Sequence, residues 1–428
     1  MGFHPFGRLR PIPEVERLLA RQARPVRRRE AIPLEEALGR VSARNVTAPR
    51  PVPSFRRASW DGFAVRARDT TRSGAKRPVW LTVVGEQFAE TSRRSPLRAG
   101  ETVEIATGSA LPRGADSVAI YEDVRSVGGR LQISRPVARG ARVADIGEDF
   151  ARGARLVRAG EPLDAAGLGA LAAIGRSTVE VYARPRVLII PNGNELRLAG
   201  ASLGAGQIYE ANHVSLASFC SAAGAQVSWI PPVPDDPKAI EAAIRRGLPQ
   251  CDLVLVTGGS SVGERDYLPR VFPRIGRLLF HGIAVRPGKP TLAAVANGRL
   301  VMGLPGHPTS CLANAYWLLL PILRRLAGLP GTGLTECSVR MAEAYPVSGP
   351  GFTTVVPLRI AGGLGHPTFK DSSAITSLSG ANGFLLRPGT AGPIRRGERV
   401  VASLLPHPIG QPPVPPAGRP QGYRNRGR

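Results

Sequence analysis

The chain has 428 residues, enough for two to four domains that each have their own core. Its hydrophobic content of 43% with 5% aromatic residues is typical of a soluble globular protein. No apolar run approaches the roughly 20 residues of a bilayer span, which argues against a membrane partner. The net charge of +25 favours anionic partners, but the arginines are spread along the whole chain without a recognisable nucleic-acid module. Dedicated nucleic-acid binding is therefore not expected.

The cysteine pattern bears on the cellular compartment. No CxxC pair occurs among the four scattered cysteines, which are Cys220, Cys251, Cys311 and Cys337. This usage predicts reduced thiols in the cytoplasm rather than a disulfide or zinc framework. The N-terminal 30 residues contain no apolar signal core, so secretion is not expected.

The first half of the chain predicts a mixed domain that is interrupted by a β-rich one. Residues 12–22 and 34–39 have helical patterns, and short β-branched runs separated by turns follow from 50 to 138. Residues 139–184 return to glycine-punctuated segments with one helix. We therefore expect an N-terminal mixed domain of residues 1–49 and 139–184, into which a β-rich domain of residues 50–138 is inserted.

The second half predicts a doubly wound α/β domain over residues 185–328. Apolar strand-like runs alternate there with helical segments, and they occupy residues 186–191, 226–231, 251–259 and 299–306. Such alternation indicates a parallel sheet with helices on both faces. One helix at 237–247 should start at Asp236 as its cap, and Asn212 is a candidate cap for another. Residues 331–406 predict a small C-terminal β-barrel, and the Pro-, Gly- and Arg-rich tail at 407–428 predicts disorder.

A glycine- and serine-rich turn follows the run Leu253–Val256. It reads TGGSSVGERDY, and its candidate ligand-binding residues are Gly258, Gly259, Ser260, Ser261 and Gly263. Glycines let the backbone approach a ligand, and N–H groups with serine hydroxyls suit phosphate. The turn is not a Walker A loop, because no GK[ST] follows. In open parallel sheets, ligands bind beyond the carboxyl ends of the strands, where this turn is predicted to lie.

Other polar loops are predicted at the same edge of the sheet. PNGNEL carries Glu195, VRPGKP carries Arg286 and Lys289, and GLPGHPTSCL carries Pro305 and Ser310. With Asp266 after the glycine-rich turn, the loops combine two acids with two bases. Mg²⁺ typically takes one or two carboxylates plus phosphate oxygens. The pattern therefore predicts a site for a phosphorylated anion together with Mg²⁺.

Eight motifs, in this order, resemble those of the molybdopterin molybdenumtransferases, the MoeA family of molybdenum insertases that includes the gephyrin E-domain. They are ASWDGFAV (58–65), ATGSALPRGADSV (106–118), GEDF (147–150), NGNEL (192–196), IYEAN (208–212), TGGSSVGERDY (257–267), RPGKP (286–290) and LPGHPTSCL (304–312). The resemblance covers roughly residues 10–405. The segment at 372–388 resembles archaeal members.

The resemblance implies a four-domain homodimer whose active site is shared between subunits. Its members transfer molybdenum from molybdate into adenylylated molybdopterin with Mg²⁺ and release AMP. Two acids, Glu195 and Asp266, would then hold Mg²⁺ or position the attacking water, with Asp235 or Asp236 as a further ligand.

The remaining site residues take roles from the same resemblance. Asp61 and Thr107 would come from the partner subunit, with Asp149 near the cleft. The glycine-rich turn would cradle the pterin or its phosphate. Arg286, Lys289 and Ser310 would bind molybdate and phosphate oxygens, which fixed positive groups stabilise.

Three positions depart from the family pattern. Asn194 stands where the family has aspartate, which removes one charge near the expected metal. Arg286 stands where lysine is common, and Phe352 stands where arginine is frequent. These departures leave open a scaffold that kept the fold without the chemistry. A second alternative is a molybdopterin adenylyltransferase, whose fold resembles residues 185–328 alone.

Overall fold

The computed structural model describes residues 6–89, 95–261 and 266–405. Gly263 and the tail predicted to be disordered lie outside the described residues. Within the described ranges, no helix has the length and apolar composition needed to cross a bilayer. The chain divides into two compact units, one formed by Ala31–Val181 and the other by the residues up to Glu30 with those from Tyr182 onward. We call them the 31–181 unit and the α/β unit. The four-domain division predicted from the sequence stays a prediction.

The helices predicted at 12–22 and 237–247 are confirmed with the same bounds. The α-helices of the described residues are α1 (Ile12–Gln22), α2 (Ala67–Thr70), α3 (Ala165–Ala173), α4 (Asn212–Ala222), α5 (Pro237–Gly247), α6 (Leu268–Ile275), α7 (Pro308–Asn314) and α8 (Leu320–Leu326). The predicted cap of α5 is confirmed, because the Asp236 carboxylate accepts a hydrogen bond from the N–H of Ala239 at 2.8 Å.

Two helical predictions were wrong in detail. Residues 34–39 form only a 3₁₀ turn at Leu34–Glu36. Asn212 is the first residue of α4 rather than its cap, and its side chain instead donates to the carbonyl of Gly306 at 2.8 Å. The first turn of α4 uses the buried carboxylate of Glu210, which accepts from the N–H of His213 at 3.0 Å.

The first half of the chain contains short strands and one larger sheet. The strands are β1 (Arg29–Pro33), β2 (Val46–Thr47), β3 (Arg57–Ala58), β4 (Gly62–Val65), β5 (Val79–Gln87), β6 (Glu101–Ile105), β7 (Ser117–Ile120), β8 (Val124–Val127), β9 (Arg130–Ile133), β10 (Val143–Ala144), β11 (Arg155–Val157) and β12 (Thr178–Tyr182). The sheet within the 31–181 unit has the order β7-β4-β6-β5-β9-β8. Its two faces pack separate apolar cores, one around Ala64 and Val103 and the other around Phe63 and Leu131.

The second half forms a six-stranded sheet and a barrel. The strands are β13 (Arg186–Pro191), β14 (Leu196–Arg197), β15 (Ile208–Tyr209), β16 (Gln226–Trp229), β17 (Leu253–Thr257), β18 (Arg277–His281), β19 (Val285–Arg286), β20 (Leu292–Ala296), β21 (Arg299–Leu304), β22 (Thr335–Met341), β23 (Thr353–Ala361), β24 (Leu364–Pro367), β25 (Gly383–Pro388) and β26 (Arg399–Leu404). The central sheet has the order β16-β13-β17-β21-β20-β18.

Helices cover both faces of the central sheet, as the apolar strands predict. Every residue of β17 is buried, and alternate residues enter different cores. Leu253 and Leu255 pack in the core that includes residues of α4 and α8, whereas Val254 and Val256 pack in the core that includes α5 and α6. The doubly wound arrangement is therefore confirmed for β16, β13, β17 and β21, which are parallel.

One edge of that sheet differs from the fully parallel prediction. β20 and β18 are antiparallel additions beside β21. Asn297 and Gly298 join β20 to β21 with φ of 50° and 74°, and two positive φ values at Asn-Gly are the signature of a tight hairpin turn. The Asn-Gly pair therefore indicated an antiparallel hairpin at this edge, which the prediction from strand–helix alternation did not take into account.

The C-terminal strands close into the predicted small barrel. β23 pairs with both β24 and β25, and the ring continues through β22 and β26. β19 adds to β23 in parallel, and Arg286 lies opposite Thr354 in the register. The start of β23 is thus hydrogen-bonded to the chain where the Arg286–Pro290 segment begins.

An ion pair ties the N-terminal segment to the central sheet. The Arg28 guanidinium donates to both carboxylate oxygens of Asp252 at 2.8 Å, and the Arg186 N–H donates to the same carboxylate at 2.8 Å. Burial alone would raise the pKa of Asp252, but these hydrogen bonds outweigh it and hold the pKa below its usual value.

We expect Asp252→Asn to lower the free energy of unfolding at pH 7 by about 1 to 2 kcal/mol. This figure allows for screening of the ion pair by solvent, because Arg28 is partly exposed. A carboxyl whose pKa is lower in the folded state stabilises the fold above the unfolded pKa of about 3.9. That contribution disappears as the pH falls through the lower folded pKa. Urea unfolding at several pH values should therefore show a difference between wild type and variant at pH 7 that shrinks below about pH 4. A difference independent of pH would contradict the ion-pair explanation.

Candidate active site

The carboxyl ends of three adjacent parallel strands bring the predicted loops together. β13, β17 and β21 lead into residues 192–196, 258–261 and 305–310, and all three loops line one cavity of about 1610 Å³. Glu195, Asp266 and Lys289 lie in this common cavity. The central geometric prediction of the sequence is met by the fold.

The glycine-rich turn approaches the neighbouring loop too closely for any side chain. Gly258 and Gly259 have φ of 88° and 59°, and a Cβ on either would lie within 2.6 Å of an Asn192 oxygen. Only glycine combines this conformation with such contact. The Ser261 N–H donates to the Asp266 carboxylate at 3.0 Å, which links the two described ends of the turn. Ser260 and Ser261 both line the cavity.

The acidic side of the cavity includes Glu195 and Asp235. The Glu195 carboxylate packs on Gly193, where a Cβ would lie 2.7 Å from its nearer oxygen. Asn194 and Asp235 bind each other reciprocally, because each backbone N–H donates to the other's side-chain oxygen at 3.1 Å. The adjacent Asp236 does not line the cavity, since its carboxylate caps α5. Asp235 is therefore a better candidate ligand than Asp236.

The basic side is a turn held by a buried amide. The Asn314 side chain donates to the Gly288 carbonyl at 3.0 Å and to the Thr291 hydroxyl at 2.6 Å, and it accepts from the Trp317 indole N–H at 3.0 Å. Gly288 has φ of 108°, and a Cβ there would lie 2.3 Å from the Asn314 amide oxygen. This packing fixes the backbone between Arg286 and Lys289, and both side chains line the cavity.

The third loop is bound by a distant part of the chain. The buried residues Pro305 and Ser310 line the cavity at the start of α7. Between them, the Thr309 hydroxyl donates to the Ala374 carbonyl at 2.7 Å, and the His307 ring nitrogen lies 3.0 Å from the Ser372 hydroxyl. The His307 ring therefore links this loop to the segment around Ser372.

Several lining residues were not predicted. They are Asn192, Tyr209, Glu210, Tyr345, Ser348, Asp371, Ser372 and Ser373. Glu210 lies in the motif IYEAN, and its carboxylate also forms a hydrogen bond with the His213 ring. Asp371, Ser372 and Ser373 form the run DSS, a cluster of short polar side chains that could have been recognised as a ligand loop.

Asp61 and Thr107 meet in the 31–181 unit. The Thr107 N–H donates to the Asp61 carboxylate at 2.7 Å, and hydrogen bonds from this N–H and from the Thr107 side chain lower the pKa of Asp61. Both residues are exposed, as is Asp149, whose N–H donates to the Val52 carbonyl at 3.1 Å. The hydrogen bonds from Thr107 thus favour the ionised form of the exposed Asp61 carboxylate.

Comparisons with known proteins agree along most of the chain. The MoeA N-terminal region (domain I and II) matches residues 10–175, a probable molybdopterin binding domain matches residues 188–325, and the MoeA C-terminal region (domain IV) matches residues 339–405. A molybdopterin molybdenumtransferase from Bacillus subtilis is 31% identical over 88% of this chain and 90% of its own length. One from Haemophilus influenzae is 32% identical over 70% of this chain and 73% of its own length.

A solved structure gives the same result. The molybdopterin biosynthesis MoeA protein from Pyrococcus horikosii has a TM-score of 0.81 and 34% identity, and it covers 93% of this chain and 99% of its own. The fold and the three matched regions define an enzyme of molybdenum cofactor biosynthesis with a molybdopterin-binding α/β domain. The chain belongs to the molybdopterin molybdenumtransferase (MoeA) family.

Proposed function

We propose that this protein inserts molybdenum from molybdate into adenylylated molybdopterin, with Mg²⁺-dependent release of AMP. The observation that carries the proposal is the convergence of Glu195, Asp266 and Lys289 in one cavity beside the glycine-rich turn. Acids for a divalent cation, bases for an oxyanion and a close-approach loop for phosphate are what this reaction needs in one place.

The chemistry assigns different residues to the two ends of the substrate. The dithiolene forms two Mo–S bonds as one molybdate oxygen leaves with two thiol protons as water. Arg286, Lys289 and Ser310 would hold the oxyanion during this exchange. At the other end, water adds to the phosphoanhydride and AMP leaves. Glu195 or Asp266 would orient that water and accept its proton.

The acidic residues fit Mg²⁺ that is shared with substrate. Within the described ranges, no cluster of three or more His, Cys, Asp or Glu side chains is arranged to hold a metal by itself. Mg²⁺ commonly takes only one or two carboxylates and completes its shell with phosphate and water. One or two of Glu195, Asp266 and Asp235 would supply those carboxylates. Bound there, the ion would neutralise phosphate charge as the phosphoanhydride breaks.

We also propose that the protein acts in the cytoplasm as a homodimer, in which Asp61 and Thr107 of the partner subunit complete each site. Support comes from two exposed aromatic side chains that precede Asp61 in the sequence. Trp60 and Phe55 are 56% and 44% exposed, and aromatic side chains are enriched at protein–protein interfaces relative to the rest of the surface. The four cysteines are free, as expected of a reducing compartment.

The direct test supplies recombinant protein with adenylylated molybdopterin, molybdate and Mg²⁺ and measures AMP. We expect AMP release that needs both molybdate and Mg²⁺. Absence of AMP with intact substrate would overturn the insertase in favour of a scaffold. ATP-dependent adenylylation of molybdopterin would favour the adenylyltransferase instead.

Asn194→Asp tests the acidic side of the site. The substitution keeps the oxygen that accepts from the Asp235 N–H and adds a carboxylate next to Asp235. We expect the Mg²⁺ concentration for half-maximal AMP release to fall about threefold to tenfold. Asn297→Asp adds the same charge at an exposed hairpin turn outside the cavity, and it should leave the Mg²⁺ requirement unchanged. Equal effects of the two variants would argue against a cation site at residues 194 and 235.

A further inference from the structure

The two cations of the Arg286–Pro290 turn, Arg286 and Lys289, each contact an aromatic ring rather than a carboxylate. The Arg286 guanidinium lies 4.4 Å from the centre of the Phe352 ring, and the Lys289 ammonium lies 4.6 Å from the centre of the Phe6 ring. Among the described residues, neither cation has a carboxylate within ion-pair distance. Both positive charges are therefore available to an anionic ligand in the cavity.

Phe352 is fixed on the barrel by backbone hydrogen bonds. Its carbonyl accepts from the Gly389 N–H at 2.7 Å, and the next residue, Thr353, donates to the Ala284 carbonyl at 2.8 Å. Phe352 is thus joined through Thr353 to the backbone two residues before Arg286. The pairing of β19 with β23 therefore holds the Phe352 backbone beside the segment that carries Arg286.

Phe6 is fixed from the opposite end of the chain. The Arg10 N–H donates to the Gly282 carbonyl at 3.1 Å, and Arg10 accepts from the Ala284 N–H at 2.8 Å. The Phe6 ring packs on Gly282, where a Cβ would lie 2.9 Å from a ring carbon. It also contacts the His281 ring with centres 4.9 Å apart. The N-terminal segment therefore reaches the active-site turn.

We propose that Phe352 and Phe6 are positioning residues that hold Arg286 and Lys289 in the orientation that binds the oxyanion. This inference rests on the proposed function, since it assigns the two cations to molybdate. Arg and Lys side chains each lose rotamer freedom when they are fixed. A cation–π contact restrains the side chain before the ligand arrives and leaves its charge unneutralised. A carboxylate in the same place would compete with the oxyanion.

Neither ring is among the residues that line the cavity. Both rings therefore act through the cations and not by touching the substrate. A role of this kind should appear in the affinity for the oxyanion more than in the rate of the bound complex. It also explains why Phe352 need not be an arginine: in this chain Arg286 supplies the guanidinium and Phe352 orients it.

The test measures the dissociation constant of molybdate by calorimetry and the KM and kcat of AMP release. We expect Phe352→Leu, which keeps apolar bulk without the ring face, to weaken molybdate binding about threefold to tenfold with a matching rise in KM. Phe352→Tyr should restore affinity to within about twofold because the ring face is kept. Phe6→Leu should act similarly, and the double variant should show the product of the two effects, because the rings contact different cations.

Phe219→Leu is the matched control. Phe219 forms an edge contact with Tyr316 outside the cavity, so its loss should leave molybdate affinity unchanged. Arg286→Ala and Lys289→Ala separate the two levels of the proposal. If they weaken molybdate binding but the Phe→Leu variants do not, the positioning role is overturned alone. If neither alanine variant weakens binding, the oxyanion site itself is overturned.

Discussion

Replacing Lys289 with alanine should reduce AMP release in the presence of molybdate by about 10² to 10³-fold. Lys289 lines the cavity, and its backbone is held by the Gly288–Asn314 contact. No described carboxylate neutralises the Lys289 ammonium. Its removal therefore takes away one of the fixed positive charges that would bind the oxyanion where two anionic reactants meet. The loss should appear in kcat/KM for molybdate, measured at fixed adenylylated substrate.

Lys289→Arg serves as the comparison for that variant. It keeps the charge but replaces a compact ammonium by a planar guanidinium, which is not equivalent at a closely packed site. We expect an intermediate loss of about tenfold, because part of the electrostatic stabilisation is kept. Lys238→Ala, on the outer part of α5, removes the same charge outside the cavity and should have no effect. Full activity of Lys289→Ala would refute the assignment of the oxyanion to this turn.

The convergence of the site was predictable from sequence because it follows from topology. Three parallel strands must direct their carboxyl ends to one edge, so loops containing Glu195, Gly258 and Ser310 had to meet once the strands were identified. The cap of α5 was equally predictable, because Asp236 precedes a proline at the first helical position. The sequence could not show which of the two adjacent side chains, Asp235 or Asp236, faces the cavity. That depends on the reciprocal bonds with Asn194, which lies on another loop.

The parts of the site that were not predicted from the sequence are formed by segments that lie far apart in the chain. The Ser372 hydroxyl contacts the His307 ring, although the two residues are 65 positions apart in the chain. Phe352, just before the start of β23, contacts the guanidinium of Arg286. No local periodicity encodes such contacts, and the one between Phe352 and Arg286 depends on how β19 pairs with β23. The departure at Phe352 was visible in the sequence, but its meaning required the ring-to-guanidinium distance. The Asn297–Gly298 hairpin was a local signal, and it was missed because the alternation of strands and helices dominated the interpretation.

Complementation between two inactive variants should show whether each site uses two subunits. Asp61→Asn keeps an oxygen for the Thr107 N–H but removes the charge, and we expect it to lose about 10²-fold or more of the AMP release. Lys289→Ala is inactive for an independent reason in the α/β unit. When the two chains are co-expressed with different tags, half of the dimers carry one of each. Such a dimer has one site with both defects and one site with neither.

We therefore expect the mixture to recover about a quarter of wild-type activity, and purified heterodimers about half. Glu195→Gln mixed with Lys289→Ala is the matched control, because these two residues line the cavity of the same chain. Every site in that mixture carries at least one defect, so activity should stay at the level of the single variants. If Asp61→Asn with Lys289→Ala also fails to recover while the heterodimer forms, Asp61 acts within its own chain or outside the reaction. Recovery in the first mixture and none in the second would place Asp61 and Lys289 in one active site contributed by two copies of the chain.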